Sequence, residues 1–129
     1  MYEVNRSVVI VKPKQPFADW LATLDVEWPQ DAPPSLMQLR EDCNAFLIPP
    51  AEDVMDAKDY IRQHWQDIFE GELADWTEDE SEWPAKRTPN IFQQWFEVEL
   101  HSVLTDLCED SLDRESFVPI ALNALGSKD

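Results

Sequence analysis

Ten prolines and only two glycines punctuate this 129-residue chain, and that imbalance limits the folds open to it. Tight two-residue turns draw on glycine for positive φ, so few connections here can be of that kind. Proline instead stops elements and forces the residue before it into extended backbone. The chain is therefore read as segments separated by proline-bearing loops.

Between those stops the hydrophobic pattern assigns the elements. Ser7–Lys12 (SVVIVK) is a β-branched run ended by Pro13 and reads as a buried strand. Gln15–Leu24 places Phe17, Trp20, Leu21 and Leu24 at helical spacing, with Pro16 suited to a first turn. Asp25–Pro34 holds three prolines and is loop. Ser35 caps a short helix over Leu36, Met37, Leu39 and Arg40, with Gln38 at the capping-box position. Asn44–Pro49 reads as a second strand, closed by Pro49–Pro50.

A long helix follows from about Asp53 to Leu73, with Val54, Ala57, Ile61, Trp65, Ile68 and Phe69 in one stripe and Tyr60 beside it. Gly71 either ends this helix or weakens it. Asp75–Arg87 reads as an ordered acidic loop. Thr88 and Pro89 then make an N-cap and first-turn pair. Ile91, Phe92, Trp95, Phe96, Leu100, Val103, Leu104 and Leu107 form the strongest helical stripe in the chain. Within it Phe96-Glu97-Val98-Glu99-Leu100 alternates like a strand, but the persisting helical period favours one helix throughout. Ser116 caps a last short helix ending near Leu125, with Gly126 as its stop.

This order predicts an α+β fold, or a small α/β one, with two or three short strands covered by three or four helices. A helical crossover between the first two strands favours a parallel or mixed sheet. The length suits one domain over 1–129: a core over 5–108, then an acidic segment and short terminal helix over 109–129.

Charge is the compositional outlier. Twenty-seven acids stand against ten bases, a formal net of −17, yet 43% apolar residues and six tryptophans argue for a packed interior. Residues 1–24 carry three bases and two acids, so all the negative excess lies beyond them. From Asp67 to Glu82 eight acids occur without a base. Such a field repels nucleic acid and anionic membranes and favours basic partners. No apolar run resembles a signal segment or a membrane span. Cys43 and Cys108 lie far apart and read as reduced core residues, so a cytoplasmic setting is expected.

Catalytic signatures are absent from the motifs: no nucleophile elbow, no phosphate loop, no paired-cysteine site. Three constellations merit weighing. Glu97 and His101, four apart on the expected helix, with His64 and Asp67 on the earlier one, outline a carboxylate–histidine metal site or hydrolase centre. Acids this abundant fall near any histidine, so ordinary hydrogen bonding is the plainer account. The run Thr77–Glu82 has oxygen ligands but not the spacing of a calcium loop, and reads as a solvated charged segment.

The third constellation is aromatic. Trp20, Trp65 and Trp95 sit on helix stripes and read as core, whereas Trp28, Trp76 and Trp83 fall in loops. Trp76 and Trp83 flank the acidic run, where they either pin it to the domain or anchor a partner.

Asn5-Arg6-Ser7, Val11-Lys12-Pro13-Lys14-Gln15-Pro16-Phe17 and Asp19-Trp20-Leu21 open a pattern that continues through Trp65 with Ile68-Phe69, Trp76 and Trp83-Pro84. Phe92, Trp95-Phe96 and His101-Ser102 complete it. These words resemble a group of short, acidic, Trp-rich uncharacterised bacterial hypothetical proteins. The likeness spans residue 5 to about residue 108; it implies one coherent domain and carries no mechanism.

The leading expectation is a non-enzymatic interaction or regulatory protein. It would meet a basic protein through an acidic face made by Asp75, Trp76, Glu78, Asp79, Glu80, Glu82 and Trp83. No cofactor, direct nucleic-acid contact or membrane contact is expected. The alternatives are a DNA mimic that blocks a nucleic-acid-binding protein, and the metal or hydrolase site at Glu97, His101 and His64.

Overall fold

β-branched residues on both faces of Ser7–Pro13 make this segment (β2) the centre of the main sheet. The computed structural model describes residues 1–117, so the expected terminal helix to Leu125 lies outside the described residues. Asn44–Ile48 (β3) pairs with β2 on one side and Phe96–His101 (β4) on the other, both antiparallel, in the order β3-β2-β4. A second ladder joins Tyr2–Glu3 (β1) to Thr105–Asp106 (β5), each too short to stand out in sequence.

Helices Gln15–Leu21 (α1), Leu36–Leu39 (α2), Val54–Ala74 (α3) and Pro89–Trp95 (α4) complete an α+β fold. Pro16 opens the first turn of α1, and side-chain caps start the other three. Ser35 and Gln38 form a reciprocal capping box, Asp53 Oδ1 accepts from Asp56 N, and Thr88 Oγ1 accepts from Ile91 N. Gly71 does not stop α3, which continues to Ala74.

Two expectations are corrected. The helix expected over the 89–107 stripe ends at Trp95, and the next residues are strand. The alternation wins because β2 would otherwise keep one edge unpaired beside the core. As a strand, β4 sets Phe96, Val98 and Leu100 opposite Pro13, Val11 and Val9 on the core side. The sheet is also antiparallel rather than parallel or mixed. The α1–α2 connection returns the chain to the end where β2 finished: Arg40 Nη1 donates to Pro13 O at 2.8 Å, and Asn44 faces Val11. β3 can then only run back along β2.

The core is strongly aromatic. Phe17, Phe69, Phe92 and Phe96 are buried and contact one another or Trp20 and Trp95 with ring centroids 5.2–6.2 Å apart. The outer sheet face carries Lys12, Glu97, Glu99 and His101 beside Val8, Ile10, Ala45 and Leu47. Ser7 is fully buried and joins three segments, donating from Oγ to Ser102 O and accepting from Ala51 N at 2.8 Å. Ser7→Ala strands both groups, so a loss of about 1–3 kcal/mol in urea unfolding is expected; an unchanged midpoint would deny this joint a structural role.

Among the described residues no helix is long and apolar enough to cross a membrane. Cys43 and Cys108 are free, and Cys108 is exposed rather than a core residue.

Candidate functional site

The acidic segment begins inside α3. Glu72 follows Ile68 and Phe69 by one helical turn, so it falls on the buried face and is only 5% exposed. Asp75 caps the helix end, and the chain then folds on itself through a 3₁₀ turn at Glu80–Glu82. Asp79 Oδ1 accepts from Ser81 N and Oγ, while Thr77 Oγ1 donates to Glu82 Oε1 at 2.9 Å. These two hydroxyls stabilise a tight arrangement of like charges, and the Ser81 bonds hold the Asp79 carboxyl below its ordinary range.

Two indoles fasten this segment to the domain. Trp83 Nε1 donates to Thr77 O and Trp20 Nε1 to Glu82 O, each at 3.0 Å. Trp83 is 4% exposed, with the Arg87 guanidinium over its ring at 5.4 Å. Trp83 is therefore removed from the candidate contact residues: it pins the loop from within, because burying its ring outweighs presenting it to water. Trp76 remains at the surface, 37% exposed, with its ring 5.9 Å from that of Trp28. Asp75, Glu78, Asp79 and Glu80 are exposed and Glu82 half-buried. Among the described residues, none of the eight acids from Asp67 to Glu82 takes part in an ion pair.

Beside Trp76 lies a cavity of about 370 Å³ whose polar wall is Glu72, Asp75, Asp42, Asn44 and Gln38. Asn44 Nδ2 donates to Glu72 Oε2 and, at 2.8 Å, to Asp75 Oδ2, so one amide bridges two carboxylates. Glu72 Oε1 accepts no hydrogen bond among the described residues. No fully enclosed side-chain oxygen there lacks a partner, so Oε1 is not fully enclosed, and Glu72 lines the cavity. Burial pushes the Glu72 carboxyl up to about 7; the Asn44 bond opposes this and the Asp75 charge adds to it. Burial likewise raises the Cys43 thiol on the cavity wall, which points at the Leu39 and Arg40 carbonyls. A raised pKa makes it a poor nucleophile.

The metal alternative does not assemble. Glu97 and His101 share the outer face of β4, but four residues of strand span about 13 Å, too far for one ion. Glu97 pairs with Arg40 at 2.7 Å, and His101 Nε2 lies 2.6 Å from Glu99 Oε2. His64 stacks on Tyr60 with centroids 4.4 Å apart. Among the described residues no three His, Cys, Asp or Glu side chains are placed to hold a metal ion.

The cavity's central pair, Glu72 and Asn44, was not singled out by sequence reasoning. The signal was present for Glu72 alone: a carboxylate on an otherwise apolar helix stripe. For Asn44, at the start of a strand, nothing in the sequence marks the contact with residues 28 and 31 positions later. No family model, curated protein or solved structure matches the chain.

Proposed function

We propose that this chain is a non-enzymatic interaction or regulatory module that holds a basic protein by its acidic face. The cavity between Glu72, Asp75 and Trp76 takes one lysine or arginine side chain of that partner. The observation that carries this reading is Glu72. It is a carboxylate buried beside a second carboxylate on a cavity wall, with no cation partnered to it among the described residues. A buried charge without a counter-ion lowers stability, and a partner's cation would relieve it. Trp76 offers the aliphatic stem an apolar wall and the cationic head a π face. The exposed Glu78, Asp79 and Glu80 beside it steer a basic partner at raised, salt-sensitive on-rates.

The test is affinity capture from the host lysate with the wild-type chain and with a quadruple variant, Trp76→Ala, Glu78→Gln, Asp79→Asn and Glu80→Gln. The wild type is expected to retain a basic protein that elutes with salt, and the variant to lose at least about tenfold in retained partner. If every captured protein stays on the variant, the acidic face is not the contact surface.

A further inference from the structure

Lys58, Ile61, Arg62 and Trp65 recur at i, i+3, i+4 and i+7 along α3, which places two bases and two apolar residues on one helix face. That face borders a crevice of about 380 Å³ shared with α4 and β4. The floor is apolar, with Ile61, Phe92 and Phe96 buried and Trp65 half-buried. The rim is basic. Lys14 reaches over from the start of α1, and its Nζ donates to Gln93 O at 2.9 Å. Three of the ten bases in a chain of net −17 therefore converge on one apolar crevice.

The local charge is only partly cancelled where it stands. The acid on the crevice wall, Glu97, is already paired with Arg40. The Lys58 ammonium makes no hydrogen bond or ion pair among the described residues. Arg62 pairs with Asp59 one turn away, but both are more than half exposed, and such a pair exchanges readily for a better acceptor. Nor do the acids from Asp75 onward decide the sign here. Asp75 lies about 25 Å along the α3 axis from Lys58, and charges are screened over about 8 Å at physiological salt.

We propose that this crevice binds a small organic carboxylate with an aromatic or branched aliphatic body. The body lies on Trp65 and Phe92, and the carboxylate is held by Lys58, Arg62 and Lys14. Arg62 offers a planar fork that matches two carboxylate oxygens, while the lysines add charge from either side. The volume falls within the range of about 300–1,000 Å³ usual for small-molecule sites, which combine an apolar lining with a few polar groups. This site is independent of the basic-partner reading and uses none of its residues.

The test uses the full chain with 2-naphthoate, its uncharged analogue 2-naphthamide, and 2-naphthyl phosphate, followed by amide and indole chemical shifts. Naphthoate is expected to move the Trp65 indole and Gln93 side-chain signals and to bind about tenfold more tightly than the amide, the worth of one charge-assisted bond. Lys58→Gln with Arg62→Gln is expected to shrink that preference severalfold, leaving only what Lys14 supplies, by weakening naphthoate more than naphthamide; both residues are exposed, so the fold is retained. Equal affinity for acid and amide, an unaltered preference in the double variant, or shifts that avoid Trp65 and Gln93 overturns the site. Tighter binding of the phosphate than of the carboxylate overturns the ligand class.

Discussion

Trp83→Ala is expected to cost about 3–5 kcal/mol of folding stability, a large share of the 5–15 kcal/mol typical of a single domain. The ring is almost fully buried, so its removal leaves a void in the core. Thr77 O loses the indole donor and Arg87 loses the ring beneath its guanidinium. The effect is not confined to packing. With Trp83 gone, the turn that carries Glu78, Asp79, Glu80 and Glu82 keeps only one of its two indole fastenings, and amide exchange at Glu82 and residue 83, whose N–H groups bond Asp79 O and Glu80 O, is expected to accelerate. Trp83→Phe separates the two contributions, because it keeps most of the volume and forfeits only the N–H, at about 1 kcal/mol. A urea midpoint for Trp83→Ala close to wild type would show that Trp83 is not the pin.

That burial was one of two readings open to the sequence, and the reason is general. A tryptophan between acids is equally suited to face inward or outward until the position of the rest of the chain is known. What decides it is α1, whose Trp20 supplies a second indole N–H to the same loop. The local signals were legible: the capping box at Ser35, the Thr88-Pro89 start of α4, and the stripe of α3 all specify elements through neighbouring residues. The failures were non-local. Whether residues 96–101 continue a helix or turn into a strand depends on β2 needing a partner, a fact held elsewhere in the chain. That single misassignment also produced the Glu97–His101 metal alternative, which required helical spacing. Cation convergence on the α3–α4 crevice was partly legible, since Lys58 and Arg62 share a helix face, but Lys14 joins them only through the fold.

Glu72 provides the sharpest link between stability and function. Its ordinary value is 4.5 and burial raises it to about 7 in the folded chain. Between those two pH values the native state keeps a proton that the unfolded chain has released, so stability falls as pH rises through this window. The full penalty, on the order of 3 kcal/mol, applies above pH 7. Glu72→Gln keeps an acceptor for Asn44 and removes the charge. The variant is therefore expected to match wild type near pH 4 and to exceed it by up to about 3 kcal/mol at pH 8, read from urea unfolding across that range. The other acids titrate alike in both proteins, so the difference isolates this residue and its coupling to Asp75. Equal stability at pH 8 would mean that Glu72 is not held as a buried charge. The same substitution should weaken the proposed basic partner, and the wild-type complex should tighten as pH rises through 7, where Glu72 ionises. A chain that becomes more stable yet binds less is the pattern expected of a residue retained for a ligand rather than for the fold. A more stable variant that keeps its partner would leave the acidic loop as the contact surface and remove the cavity from it.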